Sequence, residues 1–143
     1  MINASGAIFL CSKTGRILLN FRSFSVKNPH TWGFFGGKVE STERILQGLS
    51  REIREEMGFI PIHRAAIPLD IFWTTDKKFC YYTFVLVVDE EFIPEINNES
   101  GGFGWFNIES LPKPLHPGAK AMLFDNNIKI NLRRITDDYR NVI

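Results

Sequence analysis

Apolar residues recur at every fourth position along one stretch of the chain, which predicts an amphipathic helix. The series is Ile45, Leu49, Ile53 and Met57. Such a stripe packs one face of a helix against a core. Ser41 and Thr42 are residue types that cap helix starts, so we expect the helix to begin near Thr42. Gly58 is a typical residue at a helix C-terminus, and we expect the helix to end there.

Short apolar and aromatic runs elsewhere have the length and composition of β-strands. They are residues 4–11, 16–22, 31–35, 65–73, 78–88 and 104–108. The first two runs flank Thr14 and Gly15, which predicts a β-hairpin or a tight strand connection. The run at 78–88 is so rich in β-branched and aromatic residues that we expect a central strand covered on both faces.

Polar and proline-rich stretches separate these runs. Residues 89–104 predict a long loop, and prolines make residues 109–117 irregular. After Gly118 a helical segment is expected. The series Ile128, Leu132, Ile135, Tyr139 and Val142 predicts a C-terminal helix laid across a sheet, which Asn126 and Asn127 separate from the preceding segment. This order of elements predicts an α/β layered domain with a mixed sheet.

Composition narrows the class of protein. The 143 residues are 44% apolar and 23% charged, which predicts a single globular domain over residues 1–143. A net charge of +1 gives no broad attraction for a nucleic-acid polymer or a membrane surface. Cys11 and Cys80 lie in apolar runs and are expected to be buried free thiols. Without a signal peptide or a membrane-length apolar run, we expect a cytoplasmic protein.

Three glutamates lie where helix electrostatics disfavour them. Glu52, Glu55 and Glu56 fall in the last two turns of the predicted helix, beside the negative end of its dipole. They span about 100° of the helix surface and repel one another. A divalent cation explains this crowding, and hard carboxylate ligands favour Mg²⁺ or Mn²⁺. Arg51 can orient a carboxylate or contact a phosphate. The alternative is a solvated acidic helix face.

The spacing around these acids carries a resemblance. Gly37 is followed after five residues by Glu43, and after seven more by Arg51, Glu52 and Ile53. One residue later come Glu55 and Glu56, and after another come Gly58 and Phe59. This pattern resembles the Nudix box of the MutT-like hydrolases of nucleoside diphosphates linked to another group. Every specified position of the box is filled.

The resemblance implies a fold and an activity. The fold is the Nudix-type α/β/α sandwich, with a central mixed sheet and a loop-helix-loop metal site. The activity is metal-dependent cleavage of a diphosphate linkage in a nucleotide-type small molecule, with Mg²⁺ or Mn²⁺ as the cofactor. A metal-bound water attacks phosphorus in this chemistry.

The resemblance also implies roles for individual residues. Glu52, Glu55 and Glu56 are the implied metal ligands, while Arg51 and Glu43 are implied to brace the helix and the loop. The candidate catalytic residues are Glu56, Glu55, Glu52, Arg51 and Glu99, and the candidate cofactor-binding residues are Gly37 and Lys38. Glu99, in the predicted long loop, is the candidate base or additional ligand from outside the box. Glu56 is the alternative base.

Two positions depart from the family pattern. Phe35 replaces a common proline and can present an aromatic face to the cleft. Gly48 stands where relatives usually have alanine, at a cost of about 1 kcal/mol in helix propensity, which suggests the close approach of another segment. Trp73 and Trp105 are expected to pack in the core.

The substrate and the catalytic status remain open. Residues 70–76 show neither the proline typical of ADP-ribose hydrolases nor the tyrosine typical of dinucleoside polyphosphate hydrolases, and the longer array of NADH pyrophosphatases is missing too. Nucleoside triphosphates, ADP-ribose, nucleotide sugars and dinucleotides are therefore all candidates. The alternative to an enzyme is a non-catalytic Nudix-fold domain that binds nucleotides or regulates. Such domains commonly lose box glutamates, and this chain keeps them all. Either a monomer or a homodimer is expected.

Overall fold

The computed structural model describes residues 1–140 of the chain. Its strands are β1 (Ile2–Cys11), β2 (Arg16–Arg22), β3 (Trp32–Gly33), β4 (Phe35–Val39), β5 (Ala65–Trp73), β6 (Phe79–Val88) and β7 (Ser100–Asn107). Its helices are α1 (Ile45–Met57), α2 (Pro117–Leu123) and α3 (Asn126–Arg140).

Strand β1 is the centre of a mixed, seven-stranded sheet. It pairs antiparallel with β2 and β4 and parallel with β6. The strand order is β3-β2-β1-β6-β5, and β7 continues the sheet from β2. The predicted hairpin joins β1 to β2, with Leu10 opposite Ile17. The expected central strand is also confirmed, because β6 lies between β1 and β5 and is buried over residues 83–88.

Alternating residues of β1 supply two separate cores. Ala7 and Phe9 face α1, where Leu49, Ile53 and Met57 pack against them. Ile8 and Leu10 face the opposite side, against Leu123, Ile128 and Leu132 of α2 and α3. A period of two residues per strand thus places one helix layer on each face of the sheet. The expected α/β/α sandwich is confirmed.

Helix α1 ends as predicted but begins three residues later than predicted. Its first residue is Ile45, and Arg44 has an extended backbone. The Arg44 amide donates to the side chain of Gln47 at 2.8 Å, which satisfies one free donor at the helix start. The expected start at Thr42 is therefore wrong. Gly58 ends the helix in the left-handed conformation, with φ of 80°.

The glycine-rich segment before Trp105 is strand rather than loop. Strand β7 begins at Ser100, four residues before the predicted start, and pairs with the whole length of β2. Glycines weaken a strand because they have no side chain to pack. Pairing with the buried neighbour β2 satisfies the backbone hydrogen-bonding groups of this segment. The loop predicted for residues 89–104 is accordingly shorter.

Three aromatic residues test the expected core. Trp105 is half-buried, and its indole N–H donates to the carbonyl of Phe92 at 3.0 Å. Trp73 is 45% exposed, because it ends the edge strand β5, so the expectation of a core position is wrong. Phe35 is fully buried against Phe9, so it presents no face to the cleft.

The C-terminal helix packs as predicted over the part that the structure describes. Ile128 and Leu132 are buried, and Ile135 and Tyr139 pack against the same core. Val142 lies outside the described residues. The break before α3 falls at Phe124 and Asp125, slightly earlier than the predicted Asn126–Asn127.

Two further expectations concern thiols and membranes. Cys11 and Cys80 are both buried and free, as predicted. Within residues 1–140, no helix has the combined length and apolar character needed to span a bilayer.

Candidate functional site

Two adjacent glycines on β4 bring α1 against the sheet. Gly36 lies opposite Gly6 of β1 in the sheet, and its φ of 148° is a conformation that other residues rarely adopt. A Cβ at Gly37 would lie 2.5 Å from the carboxyl carbon of Glu52. The absence of a side chain at Gly37 therefore leaves room for a box carboxylate beside the strand.

Glu56 is the buried acid of the site. It is 7% exposed, and its Oε1 accepts a 2.7 Å hydrogen bond from the backbone N–H of Gly36. Burial raises the pKa of Glu56 to about 8, and the charges of Glu52 and Glu99 act in the same direction. The Gly36 hydrogen bond and the charge of Arg22 oppose that rise. Glu56 is therefore a carboxyl group that titrates near neutral pH.

Glu52 and Glu55 share one guanidinium nitrogen. Nη1 of Arg51 donates to Glu52 at 3.1 Å and to Glu55 at 3.2 Å. The side chain of Glu52 is 19% exposed and that of Glu55 is 56% exposed. Burial raises the pKa of Glu52, and the negative charges of Glu55 and Glu99 raise it further. The site thus concentrates negative charge that a single arginine only partly balances.

The same arginine fastens the loop before α1. Nε and Nη2 of Arg51 donate to the two carboxylate oxygens of Glu43, at 2.8 and 3.0 Å, while Nη2 also donates to the carbonyl of Lys38 at 3.0 Å. Glu43 in turn accepts from the backbone N–H of Glu40 at 2.9 Å. The pKa of Arg51 is raised and that of Glu43 lowered by this pair. These contacts join α1 to the loop before it, and the bracing role that the resemblance implies for Arg51 and Glu43 stays a prediction.

Glu99 and Lys38 lie at the edges of the site. Glu99 is exposed in the turn before β7, yet its charge raises the pKa of both Glu52 and Glu56. Lys38 is also exposed, and it borders a separate cavity of about 300 Å³ together with Glu40 and Glu43. The structure therefore brings Glu99 toward the box carboxylates, whereas Lys38 lines a separate cavity.

The carboxylates suit a hard cation by chemistry and by charge. Glu52 and Glu56 carry raised pKa values, so a cation beside them would relieve burial and mutual repulsion. In the observed rotamers, however, no three His, Cys, Asp or Glu side chains among residues 1–140 are grouped closely enough to hold a metal ion. Arg51 lies between Glu52 and Glu55, and Glu56 is turned to Gly36. Oxygen ligands of this kind fit Mg²⁺ or Mn²⁺.

A cleft of about 680 Å³ opens on the α2 and α3 face of the sheet, beside Gly36 and Gly37. Its walls include four aromatic side chains, Phe34, Phe72, Phe79 and Tyr81. Its charged and titratable wall residues are Arg22, Asp70, His116 and Asp125. This volume is typical of small-molecule sites. Sequence reasoning did not single out Arg22, Asp70 or Asp125, because the cleft walls come from separate strands and helices.

His116 has a structural role at the N-terminus of α2. Its Nδ1 accepts from the backbone N–H of Gly118 at 3.0 Å and so caps the helix. Burial and the charge of Arg22 lower the pKa of His116, which keeps the ring neutral at physiological pH. Nearby, burial raises the pKa of Tyr81 to about 12, so its hydroxyl stays protonated.

Sequence comparison relates the chain to one family. A family model described as NUDIX domain matches residues 2–125. A CTP pyrophosphohydrolase from Escherichia coli (strain K12) is 43% identical over 58 residues, which cover 41% of this chain and 42% of that protein. The match therefore spans about two fifths of the length of that curated relative.

Solved structures share the fold. The MutT NUDIX hydrolase from Burkholderia pseudomallei matches with a TM-score of 0.71 and 26% identity, over 85% of this chain and 95% of that one. The Nudix hydrolase RenU from M. smegmatis matches with a TM-score of 0.71 and 22% identity, over 99% and 89%. Because the family model covers most of its length, the chain belongs to the NUDIX family, and the expected enzyme class, a hydrolase of phosphoric anhydride bonds, is confirmed at the level of that family.

Proposed function

We propose that this protein is a metal-dependent pyrophosphohydrolase that cleaves a diphosphate linkage in a nucleoside diphosphate linked to another moiety. The observation that carries the proposal is that two box carboxylates lie against the pair of glycines that also lines the cleft. Glu52 contacts the strand at Gly37, Glu56 is bonded to Gly36, and both glycines line a cleft of about 680 Å³. Acids and a nucleotide-sized space thus meet at one pair of glycines.

Glu52, Glu55 and Glu56 would hold the Mg²⁺ or Mn²⁺. When bound, the metal neutralises the diphosphate and lowers the pKa of a coordinated water. Arg51 must then share or release its contacts to Glu52 and Glu55, while its two bonds to Glu43 keep the guanidinium attached to the loop. Arg51 is therefore proposed as a positioning residue that would exchange partners if a cation were bound by Glu52 and Glu55.

The reaction needs a base as well as a metal. Water forms a new P–O bond, the bridging oxygen leaves with the other phosphoryl group, and a proton of the water passes to a carboxylate. Glu56 is the candidate base within the box, since its carboxyl group lies at Gly36 on the last turn of α1. Glu99 is the second candidate, since it is exposed and acts electrostatically on Glu52 and Glu56.

Arg22 is the cation of the cleft wall. Its Nε donates to the carbonyl of Lys27 at 2.8 Å, which anchors the side chain, and no residue within 1–140 accepts a hydrogen bond from its terminal nitrogens. Its charge acts on Glu56, Tyr81 and His116. A guanidinium with two available nitrogens is suited to a phosphate oxygen pair. We assign Arg22 to phosphate binding.

One relative indicates which substrate class to test first. The partial match to a CTP pyrophosphohydrolase makes nucleoside triphosphates the first class to test. ADP-ribose, nucleotide sugars and dinucleotides stay in the panel. The alternative function, a non-catalytic nucleotide-binding or regulatory domain, is disfavoured because Glu52, Glu55 and Glu56 are all present.

The proposal also covers the domain organisation, location and oligomeric state of the protein. We propose a single domain over residues 1–143, acting in the cytoplasm as a monomer or homodimer on small molecules. The match of the family model to residues 2–125 supports one domain. The net charge of +1 supports a local anion site rather than a polymer-binding surface.

The deciding experiment is turnover of a substrate panel by the full chain. The panel contains nucleoside triphosphates, ADP-ribose, a nucleotide sugar and a dinucleoside polyphosphate, each with Mg²⁺, Mn²⁺ or excess chelator at neutral to alkaline pH. Phosphate-containing products that appear only with metal support the proposal. Turnover of no member, together with no shift in thermal stability on adding metal, would sink it.

A further inference from the structure

The cleft carries opposite charges at its two ends. Arg22 lines it from β2, and Asp70 lines it from β5, the edge strand on the other side of β1 and β6. Strands β1 and β6 lie between β2 and β5 in the sheet. Gly36 and Gly37, beside the box acids, also line the cleft. A ligand with an anionic group at one end and hydrogen-bond donors at the other is complementary to this arrangement.

Asp70 is the acid in the cleft with unused acceptors. It is half-buried, and its carboxylate makes no hydrogen bond or ion pair to any other residue within 1–140. The other acid of the wall, Asp125, caps α3 by accepting from the backbone N–H groups of Asn127 at 2.8 Å and Ile128 at 3.3 Å. The carboxylate of Asp70 is therefore available to accept a hydrogen bond from a ligand that enters the aromatic-walled cleft.

A β-bulge puts Asp70 on the cleft side of its strand. The pairing of β5 with β6 shifts between Pro68 and Asp70, after which Asp70 lies opposite Thr83 and Phe72 opposite Tyr81. Phe72 and Tyr81 then line the cleft beside the carboxylate. Flat aromatic rings next to an acceptor are suited to a planar heterocycle that stacks and donates hydrogen bonds.

We infer that the Asp70 carboxylate accepts a hydrogen bond from the exocyclic amino group of the substrate's nucleobase. The cleft would therefore bind cytosine, adenine or guanine nucleotides more tightly than uracil or thymine nucleotides. The inference rests on the proposed function. An amino N–H of the base donates to the carboxylate. A keto oxygen at the same position faces the Asp70 carboxylate with no hydrogen between the two acceptors. Both oxygens then lose their hydrogen bonds to water without gaining a new one. Asp70 is thus a specificity-determining residue.

The test measures binding of reaction products, which requires no turnover. Isothermal titration of the full chain with CMP and with UMP compares bases that differ in an amino and a keto group at one ring position. We expect CMP to bind about tenfold more tightly than UMP, or better, and Asp70→Asn and Asp70→Ala to bring that ratio toward one. Asp138→Asn is the matched control, because Asp138 is exposed on α3 and does not line the cleft.

Each other outcome counts against the inference. Equal affinities in the unaltered protein, or an unchanged ratio in both Asp70 variants with normal thermal melts, would overturn it. If neither pyrimidine nucleotide binds, GMP and IMP provide the same contrast through the guanine amino group, and failure of that pair also overturns it. Turnover of triphosphates is scored separately, so loss of the hydrolase proposal is distinguishable from loss of the Asp70 assignment.

Discussion

The backbone N–H of Gly36 donates a 2.7 Å hydrogen bond to Oε1 of Glu56, which joins strand β4 to the last turn of helix α1. This contact holds a buried carboxyl group against the glycine pair of the cleft. The hydrogen bond favours the charged form, and burial opposes it more strongly. The site therefore holds an acid whose charge state depends on what else enters.

Glu56 should give the metal-free protein a distinctive pH dependence. Its pKa is about 8 when folded against 4.5 when unfolded, so between these values the folded state binds the proton and the unfolded state does not. Its contribution to stability is fully present below pH 4.5 and is lost as the pH rises to about 8. Each pKa unit is worth about 1.4 kcal/mol, so we expect a loss of a few kcal/mol.

Denaturant unfolding of the chelator-treated protein at several pH values checks this expectation. Glu56→Gln should remove the loss while keeping an acceptor for Gly36, so the variant gains stability relative to the unaltered chain as the pH rises. Glu90→Gln is the control, since Glu90 is paired with Lys13 on the surface. Parallel pH curves for the Glu56 variant and the unaltered protein would contradict the assignment.

Loss of single box carboxylates should abolish turnover without unfolding the protein. Glu55→Gln or Glu56→Gln is expected to lower kcat by about a hundredfold or more, because a metal ligand or the base is removed. Glu99→Gln tests the second candidate base: an unchanged kcat in this variant would exclude Glu99 and leave Glu56. Steady-state kinetics with Mg²⁺ measures this, with Glu90→Gln as the reference. Unchanged activity in both box variants would refute the metal assignment.

Gly37→Ala should damage the site while sparing the fold. The new Cβ would lie 2.5 Å from the Glu52 carboxyl carbon, which is the mobile end of a side chain, so Glu52 moves and the backbone stays. We expect about a tenfold or greater fall in kcat/KM and weaker Mg²⁺ binding with little change in Tm. Gly102→Ala is the matched control, since its nearest neighbour would lie 3.8 Å away. Equal activity of the two variants would argue against a role for Glu52.

Arg51 and Glu43 should behave as one unit. Lysine cannot reproduce the two parallel hydrogen bonds of the guanidinium, so Arg51→Lys is expected to lower both Tm and kcat. Glu43→Gln should act in the same way, and the double variant should be no worse than the more damaged single variant. Thermal melts and steady-state kinetics on the unaltered protein, the two single variants and the double variant measure the coupling between Arg51 and Glu43. Additive effects would indicate that the two residues act independently.

Much of the architecture could be read from local patterns. The four-residue apolar repeat of α1, the hairpin at Thr14–Gly15 and the buried β6 are all present, because periodicity and turn residues act over a few positions. Helix and strand starts were less predictable. Arg44 rather than Thr42 precedes α1, since Gln47 supplies the capping interaction, and β7 extends through a glycine-rich segment because β2 lies beside it.

The box residues and the cleft residues illustrate where local information ends. Glu52, Glu55 and Glu56 could be grouped from the sequence because one helix carries them, and helical spacing alone sets their mutual positions. Asp70 and Arg22 belong to strands that meet only through the pairing of β2, β1, β6 and β5. Their alignment across one cleft, like the bulge that turns Asp70 into it, arises from long-range pairing that no short sequence window contains. The family and the acidic helix were thus predictable from the chain, whereas the cleft walls that we propose select the substrate are set by the tertiary structure, because long-range strand pairing brings them together.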